Sequence, residues 1–418
     1  MFEFQSHKRS YSNSLLHSKK PFQTSKSPSK LSIGRTIRHS KSRKSVAWRG
    51  PMSPKQSLDE NQRLVPTTAS EKTSSPQNVN LRLPRLHSPE AELKSPLSPK
   101  INKRIVSANR RTNSFVPSFA PQPKTSVQNA VTRCAYKTRG GSIMGRPKKF
   151  NQDSFIIQPF LQGVKGQYLF AVCDGHGVYG HQVSSLIKEK LPKAVEMLMQ
   201  ENSTQEELVR ALKFGIYEVD RQIHRSNVDI SFSGSTLVAL LVRGNTVVCA
   251  NIGDSRVVLG RKTENWQALD LSKDHKPELP AERSRILDSN GRVEPYYDSE
   301  GEAMGPFRVW LKDHNIPGLA MSRSLGDSVA AMAGVVSEPE VSAFTLSVCD
   351  KFLILASDGI WEFISSQTAV EIVQSAWESG HTEVCCEVLV KEALQRWKQL
   401  DDTVDDITVI VIFLNVNS

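Results

Sequence analysis

The sequence predicts an α+β domain in which antiparallel sheets are flanked by helices. Beyond about residue 131 the chain consists of short runs rich in Val, Ile and Leu, separated by Gly, Asp and Asn. The strand-like and helix-like runs occur in groups and do not alternate strictly, which favours antiparallel sheets with helices packed outside them. About 285 residues of this kind are enough to form one large core.

The predicted strands are short apolar runs bounded by turn residues, at 167–173, 235–242, 246–252, 256–259, 352–356 and 407–414. Apolar residues at helical spacing predict helices at 184–199 and 384–400. Two further helices are predicted at 205–224 and 280–288. The stretch 290–317 is interrupted by Gly and Pro and lacks a clear period, so we interpret it as a mobile flap.

The N-terminal region differs from the rest in charge and polarity. Through Phe150 the chain has 30 Lys and Arg against 6 Asp and Glu, and the remainder has 24 against 37. The first 125 residues have long polar runs and no apolar period, so they cannot bury enough surface to offset the entropy of ordering. We predict a disordered basic extension over residues 1–125 and one globular domain over residues 126–418.

The cysteines and the hydropathy indicate an intracellular protein. The six cysteines include no C-x-x-C pair and no zinc spacing, which is typical of reduced core residues. The first ten residues lack the apolar segment of a signal peptide, and no apolar run approaches 18 residues. We therefore expect a cytoplasmic or nuclear location and no transmembrane segment.

Five short acidic motifs stand at the ends of predicted strands. They are Asn151-Gln152-Asp153, Asp174-Gly175-His176-Gly177, Gly253-Asp254-Ser255-Arg256, Ser357-Asp358-Gly359 and Asp405-Asp406-Ile407-Thr408. A single Asp beside Gly is usually a turn residue, but five such positions favour a shared site. Convergent carboxylates suit Mg²⁺ or Mn²⁺ better than zinc, and two such ions can activate water for attack on phosphorus. The residues therefore point to phosphoester hydrolysis.

Six motifs, in the same order along the chain, resemble those of the protein phosphatase 2C family of metal-dependent phosphatases. They are Asp174-Gly175-His176-Gly177, Ser233-Gly234-Ser235-Thr236, Asn251-Ile252-Gly253-Asp254-Ser255-Arg256, Ser322-Arg323-Ser324-Leu325-Gly326-Asp327, Ser357-Asp358-Gly359-Ile360-Trp361 and Asp405-Asp406-Ile407-Thr408. The resemblance covers about residues 136–414. It implies a four-layer α-β-β-α sandwich, a binuclear Mg²⁺ or Mn²⁺ centre, and hydrolysis of phosphoserine and phosphothreonine in proteins.

The resemblance also implies roles for individual residues. By motif position, the metal ligands are Asp174 bridging both ions, the carbonyl of Gly175, Asp358, Asp405, Asp153 through water, and Asp254 at a weaker third site. Glu362 stands four residues after Asp358, where the family often has Asp. His176 corresponds to the general acid that protonates the leaving oxygen.

The first motif departs from the commoner family pattern. The phosphate-binding Arg and the Glu before the metal-binding Asp are replaced here by Lys148 and Gln152. Lysine offers phosphate a point charge but not the bidentate fork of arginine, and Arg146 is the alternative phosphate ligand. Asn-Gln-Asp occurs at this place in a plant and protist subset of the family, so the change does not by itself imply an inactive protein.

Two other interpretations remain open at this stage. The altered first motif would suit a pseudophosphatase that keeps the fold as a binding module, although the Asp174, Asp358 and Asp405 positions are intact. The basic segment 35–49 would suit nucleic acid or an anionic membrane, but it lacks the interleaved aromatic residues that stack on bases. We expect a monomer whose partners are phosphoprotein substrates and not nucleic acid.

The extension also contains candidate regulatory sites. Ser27, Ser53, Ser75, Ser88, Ser95 and Ser98 each precede Pro, which is the minimal pattern for proline-directed kinases. Each phosphate would add about −1.5 to −2 charges to a basic segment. We therefore expect the extension to regulate the enzyme without forming part of it.

Overall fold

A computed structural model describes residues 114–115 and 125–416. Most of the predicted disordered extension, residues 1–125, lies outside these described residues, and its disorder stays a prediction. Ordered pairing begins slightly before residue 126, because 114–115 pair antiparallel with 134–135. In addition, 125–126 pair in parallel with 164–165.

The described strands, in chain order, are β1 (Ser114–Phe115), β2 (Thr125–Ser126), β3 (Val131–Arg139), β4 (Ser142–Ile143), β5 (Arg146–Pro147), β6 (Ser154–Pro159), β7 (Val164–Lys165), β8 (Gln167–Cys173), β9 (Gly175–His176), β10 (Gly234–Ser235), β11 (Leu237–Arg243), β12 (Thr246–Ile252), β13 (Arg256–Lys262), β14 (Trp266–Asp270), β15 (Gly291–Tyr297), β16 (Ala303–Leu311), β17 (Pro317–Leu319), β18 (Leu325–Gly326), β19 (Glu340–Thr345), β20 (Asp350–Ala356), β21 (Thr403–Val404) and β22 (Ile407–Leu414). The helices are α1 (Gly180–Leu198), α2 (Gln205–His224), α3 (Pro280–Asp288), α4 (Ser328–Ala331), α5 (Asp358–Trp361), α6 (Ser366–Glu378) and α7 (Cys385–Leu400).

Two antiparallel sheets form the centre of the domain. One has six strands in the order β1-β3-β22-β20-β13-β14, and the other has five in the order β19-β12-β11-β8-β6. Successive side chains of a strand point to opposite faces, and in β8 Phe170 packs between the sheets while Leu169 and Ala171 face the helices. The same alternation in β20 turns Leu355 toward the other sheet and Ile354 toward α6 and α7.

Helices cover both outer faces of this pair of sheets. Helices α1 and α2 pack on the five-stranded sheet through residues such as Ile187 and Leu212. Helices α6 and α7 pack on the six-stranded sheet through residues such as Val373 and Leu389. The layers are therefore helix, sheet, sheet, helix, and the predicted four-layer sandwich is confirmed.

Most predicted elements appear with bounds close to those expected. Strands β8, β12 and β22 and helices α2 and α3 have the predicted bounds, whereas α1 begins four residues before the predicted start. The segment 290–317, interpreted above as a mobile flap, differs more from expectation, because it contains the three-stranded antiparallel sheet β15-β16-β17. Its register shifts between Glu294 and Tyr296, which explains why the sequence shows no regular period there.

The cysteines fit the expected core positions, since five of the six are buried and Cys349 is half-buried. Within the described part of the chain, no helix is both long enough and apolar enough to cross a membrane.

Candidate active site

The acidic motifs meet at one edge of the two sheets because of the strand directions. Asp174 follows the end of β8, and Asp153 precedes the start of β6, which pairs antiparallel with β8 through Ser154 and Cys173. Asp358 follows β20, and Asp405 precedes β22, which is antiparallel to β20. Antiparallel neighbours begin where their partners end, so each pair lies at one end of its sheet. The two pairs meet, because Asp174 interacts electrostatically with Asp153, Asp358 and Asp405.

Three of these carboxylates are mutually repelling and poorly solvated. Burial and the carboxylates of Asp153, Asp358 and Asp405 raise the pKa of Asp174 well above its usual range. Burial and the neighbouring Asp405 and Asp254 do the same to the pKa of Asp358, which shares a hydrogen bond with Asp174. Burial and two further aspartates raise the pKa of Asp153 to about 7. A cation at this edge would relieve all three.

The candidate phosphate ligands differ in position. Lys148 makes an ion pair with Asp405, and its Nζ lies 3.7 Å from Oδ2 of Asp406. Arg146, in contrast, is exposed in β5. Burial opposes the charge of Lys148, but Asp405 and Asp406 raise its pKa, so it is a permanent cation at the site. Lys148 is therefore better placed than Arg146 to meet a phosphate.

Gln152 has a defined structural role. Its Nε2 donates a 2.7 Å hydrogen bond to the carbonyl of Gly177, and its backbone N–H donates to Asp406 at 2.9 Å. An ionised glutamate has no hydrogen to donate, so it could not make the first of these bonds. The glutamine thus ties the first motif to the Asp174-Gly175-His176-Gly177 loop.

His176 is held by an aspartate to which sequence analysis assigned no role. Strands β9, β10 and β18 form a small sheet that places Gly234 between His176 and Gly326. Beside it, Oδ2 of Asp327 lies 2.5 Å from Nε2 of His176 and accepts from Oγ of Ser324 at 2.6 Å. Burial alone would lower the pKa of His176, but the Asp327 carboxylate raises it. Asp327 therefore stabilises the imidazolium form, which can donate a proton.

The Ser233-Gly234-Ser235-Thr236 motif fixes the backbone of Asp174. The Thr236 hydroxyl accepts from the backbone N–H of Asp174 at 3.0 Å, and the Thr236 N–H donates to the Asp174 carbonyl at 2.9 Å. Gly234 has no side chain because a Cβ there would collide with the Asp327 carboxylate. This motif is thus a support for the site and needs no chemistry of its own.

Asp254 has a partner that sequence analysis missed. It is 2% exposed, and its Oδ2 accepts a 2.6 Å hydrogen bond from Nζ of Lys276 in the loop between β14 and α3. Glu362 is close to the same lysine and to Asp254, and burial raises its pKa. The spacing of Asp254 and Lys276 along the chain did not predict that they would pair.

The donor set fits hard divalent cations. All candidate side-chain ligands are carboxylates, and one oxygen each of Asp153, Asp254 and Asp358 is buried without a hydrogen-bond partner in the described structure. Among the described residues no three acidic, His or Cys side chains already form a ready-made ligand cluster. Mg²⁺ needs only one or two protein carboxylates because it keeps several waters, so a loose carboxylate edge suits it.

Comparisons with known proteins agree with this geometry. A sequence model of the family described as Protein phosphatase 2C matches residues 138–399. The chain is 36% identical over 281 residues to Probable protein phosphatase 2C 35 of Arabidopsis thaliana, covering 64% of this chain and 79% of that protein. It is 38% identical over 286 residues to Probable protein phosphatase 2C 72 of the same plant, covering 65% of this chain and 84% of that protein.

A solved structure supports the fold independently. The crystal structure of serine-threonine phosphatase 2C from Toxoplasma gondii superposes with a TM-score of 0.59 at 24% identity, covering 69% of this chain and 98% of that one. At that identity the likeness shows the fold alone, whereas the family match over residues 138–399 includes Asp153, Asp174 and Asp358 of the carboxylate edge. The chain therefore belongs to the protein phosphatase 2C family of protein serine/threonine phosphatases.

Proposed function

We propose that this enzyme hydrolyses phosphoserine and phosphothreonine in proteins through a binuclear Mg²⁺ or Mn²⁺ centre at the carboxylate edge. The observation that carries the proposal is the convergence of Asp153, Asp174, Asp358 and Asp405 at one sheet edge, with buried oxygens left without partners. Such a centre supplies a positioned, deprotonated water and charge stabilisation at phosphorus.

The ligands would be the Asp174, Asp358 and Asp405 carboxylates and the Gly175 carbonyl, with Asp153 acting through water. The Gly175 backbone is closely packed, because a Cβ there would collide with the Gly180 carbonyl. That packing fixes the direction of the Gly175 peptide. The raised pKa values of these carboxyl groups make them hard to ionise at neutral pH. Beside the metal ions they would be stable anions.

Two cationic side chains then act on the substrate itself. Lys148, already at Asp405, would bind a phosphate oxygen as a point charge. His176, whose imidazolium form is stabilised by Asp327, would donate a proton to the leaving serine or threonine oxygen. Asp327 would act through His176 as a positioning residue.

The decisive experiment is hydrolysis of a phosphothreonine peptide by the full chain with Mg²⁺, Mn²⁺ or EDTA. We expect activity that needs roughly millimolar metal, since few protein ligands make weak sites. The exposed Asp313→Asn variant on the flap, which lies outside every motif, is a control and should behave as wild type. Turnover that persists after thorough chelation would overturn the metal mechanism, and a folded chain with no turnover at any metal concentration would favour a pseudophosphatase.

A further inference from the structure

Lys276 occupies an unusual position for a lysine. Its Nζ lies 2.6 Å from Oδ2 of Asp254, whose side chain is 3% exposed, while the lysine side chain is 30% exposed. The other oxygen of Asp254, Oδ1, is buried and has no hydrogen-bond partner among the described residues. The ammonium therefore neutralises a buried carboxylate without satisfying it completely.

The same ammonium faces several more acidic groups. Asp358 and Asp274 also interact electrostatically with Lys276, and Glu362 does so as well. Asp274 has its own partner, because it pairs with Arg256 through two hydrogen bonds of 2.6 and 2.8 Å. Asp254, Asp358 and Glu362 therefore share Lys276 as their nearby positive charge. A divalent cation would neutralise the same carboxylates with twice the charge of the ammonium.

The Lys276 side chain also has space to move away from Asp254. It lines a cavity of about 530 Å³ together with residues that include Arg256, Lys273 and Asp274. The cavity is distinct from the carboxylate edge, since its lining includes none of Asp174, Asp358 and Asp405. A flexible four-carbon side chain can exchange between these two surroundings without a change in the backbone.

We propose that Lys276 is a built-in competitor for a third divalent cation, because its ammonium and that cation use the same carboxylate of Asp254. The third site then fills only when Lys276 turns away from Asp254 into the cavity. This inference rests on the proposed metal-dependent function and adds a residue that controls the occupancy of one site. A purely structural ion pair would predict no link between Lys276 and metal binding.

The first test is Mn²⁺ binding to the full-length Lys276→Met variant, measured by calorimetry without substrate. We expect the weakest Mn²⁺ site to tighten about 10–100-fold, the range over which neighbours of metal ligands change affinity. Lys273→Met removes the same charge from the same loop at an exposed position and should leave binding unchanged. Adding Asp254→Asn to Lys276→Met should abolish the gain. Unchanged Mn²⁺ binding in a folded Lys276→Met protein would overturn the proposal.

The second test uses the wild-type protein and so does not depend on the folding of any variant. Amine acylation followed by mass spectrometry reports how accessible each lysine is at rising Mn²⁺ concentration. We expect labelling of Lys276 to increase as the weakest site fills, while labelling of Lys273 stays constant. Labelling of Lys276 that does not change would refute competition. The proposed function has a different failing outcome, which is that Mn²⁺ produces no phosphatase turnover at all.

Discussion

Buried residues between the two sheets and buried residues at their edge have opposite chemistry. Phe170, Leu240 and Leu355 are apolar, 0–1% exposed and packed against one another between the sheets. One or two residues beyond the strand ends, Asp174 and Asp358 are carboxyl groups whose pKa values burial raises. Burial between the sheets therefore stabilises the fold. Repulsion among like charges at the edge offsets part of that stabilisation.

Removing a carboxylate from the edge is the strongest test of this difference between the core and the edge. We expect Asp174→Asn or Asp358→Asn to reduce turnover by at least about 10³-fold, since each removes a metal carboxylate. The thermal unfolding midpoint in EDTA should stay the same or rise, because repulsion among the carboxylates falls. Calorimetric scans in EDTA and peptide assays in Mn²⁺ measure both. Near-wild-type turnover would remove these residues from the site.

A second change at the edge should affect only one step of the reaction. We expect His176→Ala to slow hydrolysis of a phosphothreonine peptide by about 10²–10⁴-fold, the usual contribution of a general acid. With p-nitrophenyl phosphate the loss should be much smaller, because that leaving group departs without protonation. Equal losses with both substrates would show that His176 supports the structure of the site and is not its acid.

A change between sheet and helices should have the opposite pattern. Phe352 is fully buried in β20 and stacks on Trp266 with ring centroids 5.3 Å apart. We expect Phe352→Ala to lower the free energy of unfolding by about 3–5 kcal/mol, with kcat per folded molecule unchanged. The exposed Phe214→Ala on α2 is the matched control and should change stability by less than about 0.5 kcal/mol. Denaturant titrations distinguish the two.

The smallest expected effect concerns a charge that is buried and well paired. Burial opposes ionisation of Glu282, but hydrogen bonds from Arg285, Arg323 and Ser322 hold its pKa well below the usual range. A lowered folded-state pKa gives stability that is present above the unfolded value of about 4.3 and is lost as pH falls further.

Glu282→Gln should therefore cost about 1–3 kcal/mol at pH 7. The difference from wild type should shrink as the pH falls below about 4, which urea titrations at several pH values measure. A difference that stays constant with pH would mean that the carboxylate charge does not support the Ser322-Arg323 segment.

The sequence predicted the strands better than it predicted the contacts between distant loops. Strand β8 and helix α2 have the predicted bounds, because turn residues flank β8 and Thr204 caps α2 with a complete capping box. Helix α1 begins earlier than predicted at Gly180, where the preceding Tyr179 makes no side-chain cap that would mark the start. Helix α6 was not predicted.

At the site, motif order predicted which aspartates lie at the edge, because strand ends are local features of the sequence. The partners of those residues are not local. Asp327 meets His176 across 151 residues and adopts a left-handed backbone conformation with φ of 45°. Lys276 meets Asp254 only because the β13-β14 hairpin folds back. Such pairs depend on tertiary structure, which periodicity and spacing do not report.

The pairing of β3 with β22 has a consequence for how the enzyme is made. These strands come from opposite ends of the domain, and they join over eight registered positions from Ile407–Arg139 to Leu414–Val131. During synthesis the ribosome releases Asp405 and β22 only after almost every other element has emerged. The six-stranded sheet and the carboxylate edge are thus completed by the same late segment. A nascent chain therefore remains inactive on the ribosome until its catalytic domain is nearly complete.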